Sequence, residues 1–212
     1  MTESDAAPVP LATAPLVNVA NGLTLLRLGL VPIFGALLLA DDGRTTSWRV
    51  AAAATFAVAS LTDRVDGQLA RRHNLVTAFG TVADPIADKA LMGTALVALS
   101  LLGELPWLVT GVVLVREVGV TLLRFWVIRH GVMPASRGGK VKTLLQGIGI
   151  VLYVLPLTGW PATARAVVMT AAVGLTLVTG LDYVARALRL RTTSARARAK
   201  RASRAARATL GR

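Results

Sequence analysis

Apolar residues gather into six stretches, near 18–40, from about 50 into 63–66, then near 79–102, 107–128, 143–157 and 166–183. Most approach the roughly 20 residues that an α-helix needs to cross a hydrocarbon core; the fifth is short unless it begins inside the loop before it. The connections carry turn-forming residues, DDGRTTSWR at 41–49, GELP at 103–106 and TGWPATAR at 158–165. The pattern predicts an all-α, polytopic membrane protein with six transmembrane helices and both ends on one side. A leader at 1–17 precedes the six-helix domain at 18–188, and a basic tail follows at 189–212. The leader has two acids, three prolines and no Lys or Arg, so it reads as an irregular cytoplasmic segment rather than a secretory signal.

Polar residues inside these stretches are costly, and their positions carry the chemistry. Asp63, Asp66, Asp84 and Asp88 lie within 26 residues of one another, although a carboxylate at membrane depth costs roughly 2.5–3.5 kcal/mol. Asp63 and Asp66 are one helical turn apart, as are Asp84 and Asp88, so each pair shares a helix face. Arg71, Arg72, His73 and Asn74 form the turn between them, which lets the two pairs face one another. Clustered carboxylates repel unless cations neutralise them. A hard divalent cation binds oxygen ligands of this kind, and a pair of such ions clamps the attacking and leaving oxygens of an in-line displacement. The plainer reading is a set of helix caps or Arg partners. Pro85, directly after Asp84, places the start of its helix close to that aspartate or else marks a kink deeper within it.

Two further polar groups accompany the aspartates. Asn18, Asn21, Thr24 and Arg27 recur every three residues at the start of the first stretch, with Asn18 or Asn21 able to cap the helix. They form either an interfacial stripe with Arg27 reaching to the headgroups or a face turned to the aspartate site. In the fourth stretch Arg116 and Arg124 can address one side, and Arg116 can alternatively bridge to Glu117. The loop at 129–142 adds Arg137, Lys140 and Lys142 beside Gly138 and Gly139, where a backbone can approach closely.

Composition narrows the class. With 54% hydrophobic residues and a mean hydropathy of +0.60, the 212-residue chain is too apolar for an ordinary soluble domain. The absence of cysteine excludes disulfides and thiolate metal sites. A net charge of +13 would point to nucleic acid if it were spread evenly, but residues 186–212 hold ten Lys/Arg and no acid. The tail reads as disordered or as an interfacial helix on anionic lipid, where each basic residue contributes roughly 1 kcal/mol; no nucleic-acid partner is required. The RRH turn, the 137–142 loop and the tail share one face, against Arg44, Arg49 and Arg165 on the other. The bias makes the shared face cytoplasmic, so the aspartate site opens there from a bacterial-type inner membrane.

The run Asp66-Gly67-Gln68-Leu69-Ala70-Arg71, followed by Gly80, Asp84 and Asp88 at fixed spacing and preceded by Asp63, resembles the full signature of the CDP-alcohol phosphotransferase family. The resemblance implies that fold and displacement at the β-phosphorus of CDP-diacylglycerol by an alcohol, releasing CMP. It implies a pair of Mg²⁺ or Mn²⁺ ions held by Asp63, Asp66 and Asp84, and by Asp88, which is also the candidate general base. It places Asn18, Thr24, Arg27, Gly67, Ala70, Arg71 and Gly80 at the CDP-lipid. The string Arg116, Glu117, Arg124, Gly139, Lys140, Val141, Lys142, Thr143 and the N-terminal stripe are most similar to the branch whose acceptor is glycerol 3-phosphate. Arg116, Arg124, Arg137, Lys140 and Lys142 are then expected to bind the acceptor phosphate. The resemblance also implies a homodimer among membrane lipids. Inositol phosphate or phosphatidylglycerol are alternative acceptors. Outside the family, a cation-coupled transporter would place carboxylates near mid-membrane with no reason for the fixed Gly/Ala/Arg spacing, and a scaffold would need none of the aspartates.

Overall fold

The computed structural model describes residues 18–72, 77–127 and 137–210. The leader at 1–17, the turn residues 73–76 and the loop residues 128–136 lie outside the described residues, as do the side chains of Asp66, Gly67, Ala70, Arg71, Arg124, Arg137 and Lys140. Six α-helices follow in order: α1 Val19–Leu39, α2 Thr46–Arg72, α3 Ala78–Leu101, α4 Trp107–Val127, α5 Arg137–Val154 and α6 Trp160–Leu210. No strand occurs among the described residues.

Local chemistry explains most of the boundaries. Asn18 caps α1 by accepting a hydrogen bond from the Asn21 amide at 2.8 Å. After α1 a 3-10 turn, Ala40–Gly43, holds Asp41 and Asp42 at φ 51°, a left-handed conformation that short polar side chains tolerate. Gly43 follows at φ +66°, and a Cβ there would lie 2.8 Å from Leu102 Cδ1, so this position needs glycine. The helix carrying Asp84 does not begin at Pro85. Thr77 caps it through a bond from the Gly80 amide at 3.0 Å, and Pro85 sits inside α3. A cap eight residues before Pro85 therefore decides the start, and the proline is accommodated within the helix. Likewise, α5 begins at Arg137, so the basic segment 137–142 is helix rather than loop. α6 continues through the tail to Leu210.

α1 packs against α2 and α3, and α6 packs against α4 and α5. The centre is built from Phe34, Leu38, Phe56, Leu91, Leu96, Leu99, Ile150 and Val154, with the Phe34 and Phe56 rings 5.4 Å apart and tilted at 53°. Between helices the buried residues are often alanines, Ala52, Ala59, Ala87 and Ala95 among them, which let backbones approach as in membrane bundles. Large apolar side chains such as Ile33, Val115, Leu122, Val178 and Leu181 cover the outside. Two stretches, Asn21–Gly43 and Trp160–Arg189, are long and apolar enough to cross a membrane by themselves. The expected count of six matches the number of helices. In α3, α4 and α5 the apolar pattern is broken by the charges that build the site.

At the end of the bundle away from the aspartates, Arg49 is buried and uses all its donors. It bonds the carbonyls of Val154 at 2.8 Å, Tyr153 at 2.6 Å and Gly43 at 3.2 Å, and grips both carboxylate oxygens of Glu104. Arg165 from α6 reaches Glu104 at 3.5 Å and lies 4.8 Å over the Tyr153 ring. The sequence places these charges on exposed connections; the structure makes them a knot joining α2, the α3–α4 connection, α5 and α6.

Candidate active site

The polar stripe of α1 faces inward. Arg27, 1% exposed, pairs with Asp63 at 2.8 Å, and the Thr24 hydroxyl donates to Asp84 at 2.5 Å. Burial of Arg27 disposes of the snorkelling alternative, because the guanidinium lies against a carboxylate of α2 rather than among headgroups. Asn21 Oδ1 accepts from the Thr77 hydroxyl at 2.8 Å, and the same hydroxyl oxygen caps α3. One helix thus orients the carboxylates of the two that follow it. Gly80 lies at this junction: a Cβ would stand 3.1 Å from Asn21 Oδ1 and 3.3 Å from Thr77 Oγ1. Its smallness serves the meeting of α1 with α3.

Asp88 lies one turn beyond Asp84 on α3 and interacts electrostatically with Asp63, Lys89, Arg27 and Glu117. It opens onto a cavity of about 130 Å³ between α3, α4 and α5, whose polar lining is Asp88, Lys89, Glu117, Lys142, Thr143 and Gln146. Across that cavity Glu117 Oε1 accepts from Lys142 Nζ and, at 2.9 Å, from Arg116 Nη1. Arg116 also donates to Thr179 Oγ1 at 2.9 Å and lies 5.9 Å over the Tyr183 ring. Arg116 and Lys142, eligible as separate phosphate ligands in the sequence, are therefore brought together on one carboxylate. The Arg116–Glu117 bridge does form. Gly138 serves helix packing, since its Cβ would lie 3.1 Å from Thr179 Cγ2.

Asp66 lies one turn beyond Asp63 on α2, and its side chain is outside the described set. Among the described residues, which leave out the Asp66 side chain, no three acidic or histidine side chains gather into a metal cluster; Asp63 is held by Arg27 and Asp84 by Thr24. The donor chemistry nevertheless suits a hard divalent cation. Every candidate ligand is a carboxylate, and the repulsion between Asp63 and Asp88 is of the kind a cation relieves.

Several contributors were not singled out by sequence. Thr77 was detectable in principle as a threonine three residues before Gly80 at a helix start. Thr179 and Tyr183 had no such signal, since only tertiary packing brings α6 to Arg116.

Carboxylates at one end of an apolar helical bundle, with Asp88 opening onto a cavity that the buried Lys142 also lines, define a polar centre of the kind an integral membrane enzyme carries. The chain belongs to the CDP-alcohol phosphatidyltransferase family, whose model matches residues 17–178. It is 56% identical over 176 residues to a probable phosphatidylglycerophosphate synthase of Mycobacterium tuberculosis, covering 83% of this chain and 84% of that protein. It is 39% identical over 184 residues to the CDP-diacylglycerol–glycerol-3-phosphate 3-phosphatidyltransferase of Bacillus subtilis, covering 79% and 94%. The enzyme so named from Pseudomonas fluorescens is 35% identical over 178 residues, covering 79% and 89%. Metal dependence is general in this family.

Proposed function

We propose that this protein transfers the phosphatidyl group of CDP-diacylglycerol to glycerol 3-phosphate, giving phosphatidylglycerophosphate and CMP. The observation that carries the reading is the cavity lined by Asp88 of α3 and by Glu117 and Lys142, with Arg116 bonded to Glu117 behind them. It offers one place for a reacting hydroxyl and another for an acceptor phosphate.

Asp63, Asp66, Asp84 and Asp88 hold two Mg²⁺ or Mn²⁺ ions in this reading. When bound, these ions neutralise the pyrophosphate and the departing CMP. Arg27 and Thr24 fix the directions of Asp63 and Asp84, while Asn18, Gly67, Ala70 and Arg71 approach the nucleotide and Gly80 serves it indirectly, by letting α1 close on α3. Arg116 and Lys142, with Arg124, Arg137 and Lys140, receive the acceptor phosphate. Asp88 takes the proton of the acceptor hydroxyl as its oxygen bonds to the β-phosphorus and the phosphorus–oxygen bond to CMP breaks. The chain works as a homodimer in the inner membrane, with the aspartate end and the basic tail in the cytoplasm.

The test is CMP release by purified protein in detergent with CDP-diacylglycerol and Mg²⁺, supplied in parallel with glycerol 3-phosphate, inositol phosphate or phosphatidylglycerol. Release with glycerol 3-phosphate alone, abolished by EDTA and by Asp88→Asn, is the expected result. Release only with another acceptor overturns the acceptor assignment.

A further inference from the structure

Glu117 was not among the residues assigned a role in the reaction, yet it is the hub of the cationic wall. Its Oε1 receives both Lys142 Nζ and Arg116 Nη1. Lys142 is only 3% exposed, and an ammonium so deeply placed in apolar surroundings needs a counter-ion. Glu117 supplies it in the form that an acceptor phosphate would, as an anionic oxygen at hydrogen-bond distance from two cations.

Two observations set this apart from an ordinary structural bridge. The pair is not sealed in the core: Glu117 and Lys142 line the cavity that also contains Asp88 and Lys89, and Arg116 backs Glu117 from behind that wall. Arg116 is also held independently of Glu117, by the Thr179 hydroxyl at 2.9 Å and the Tyr183 ring at 5.9 Å, with its stem passing Gly180, where a Cβ would lie 3.2 Å from Arg116 Cγ. Its buried Nε has no hydrogen-bond partner among the described residues, so the guanidinium retains a donor that its present contacts do not use. The cation is anchored from α6 and offered towards α4 and α5.

We propose that Glu117 is an internal competitor for the acceptor's phosphate: it neutralises Lys142 and Arg116 while the pocket is empty and gives them up when a phosphate dianion enters. The inference rests on the phosphorylated-acceptor reading above. Glu117 is then a positioning and specificity residue rather than a catalytic one. It keeps the cations ready, and it makes the site favour ligands charged enough to displace a carboxylate. Neutral polyols cannot do so. Affinity for the acceptor is submaximal, which leaves the product, whose phosphomonoester is the same dianion, free to depart.

The experiment is binding of inorganic phosphate to the purified full chain in detergent, without divalent cation so that the carboxylate centre cannot contribute, alongside KM and kcat for glycerol 3-phosphate. Glu117→Gln keeps the shape and removes the competing charge. It is expected to bind phosphate on the order of tenfold more tightly, with KM falling in step and kcat falling through slower product release. Glu117→Asp, too short to reach both cations, is expected to lie between the two and decides the matter if the Gln variant does not fold. Unchanged or weaker phosphate binding in the folded variants overturns the inference. If instead the unaltered chain releases CMP only with an unphosphorylated acceptor, the reading beneath it has failed.

Discussion

Thr24, expected at the CDP-lipid, spends its hydroxyl on a carboxylate in this structure, so its effect on the proposed reaction is expected to run through Asp84. Its bond to Asp84 fixes a carboxylate rotamer on another helix. Thr24→Val preserves the shape and deletes the bond, so kcat/KM for CMP release is expected to fall roughly tenfold, as the loss of a charge-assisted hydrogen bond of about 1.5 kcal/mol predicts. Thermal stability in detergent should barely move. Gly80→Ala acts differently, because the added methyl meets Asn21 Oδ1 and Thr77 Oγ1 at 3.1 and 3.3 Å. Either α1 or the α3 cap must shift, at a cost of about 1–3 kcal/mol, and both the melting temperature and the transfer rate should drop. At this scale the sequence was informative wherever a residue type is expensive. Four aspartates and an arginine in oily surroundings announce themselves by their cost. Glu117 does too, and its bridge to Arg116 was foreseeable from their adjacency, but its bond to Lys142 and the part played by Thr179 were not, since those partners come from other helices that no local spacing reveals.

At the scale of elements, runs of apolar residues located the six helices found among the described residues, and the boundaries that moved most are the start of α5 and the two ends of α6. Pro85 allowed either a helix start near Asp84 or a place deeper within the helix, and Thr77 decides for the second by starting α3 at Ala78, next to the expected 79. Gly138 and Gly139 looked like loop residues, but they lie in the first turn of α5, where Gly138 admits α6. The Arg49 knot is the largest feature the pattern could not disclose. An arginine near a predicted helix end reads as solvated, and only assembly surrounds it with three carbonyls and Glu104. Arg49→Lys cannot reproduce the fork and strands some of those acceptors, so it is expected to cost about 2–4 kcal/mol of stability. A lowered melting temperature with an almost unchanged KM for glycerol 3-phosphate is the predicted outcome, because Asp63 lies about 21 Å further along α2.

For the whole molecule, the proposed orientation follows from where the Lys and Arg residues fall, and the chain's lack of cysteine makes it directly testable. Single cysteines at Ser47, in the first turn of α2, and at Ser203, late in α6, probe the two sides. A membrane-impermeant thiol reagent applied to intact cells is expected to label Ser47→Cys at once and Ser203→Cys only after permeabilisation. The opposite result would reverse the orientation and place the carboxylates outside, away from nucleotide.

The Arg49 knot also bears on traffic through the molecule. A carrier must unfasten each pole of its bundle in turn, whereas here one pole is laced shut by an arginine, a glutamate and the ends of several helices. Under the proposed reaction this leaves a chamber with a single door: CMP is expected to leave by the opening through which its nucleotide arrived, with the acyl chains passing sideways within the bilayer.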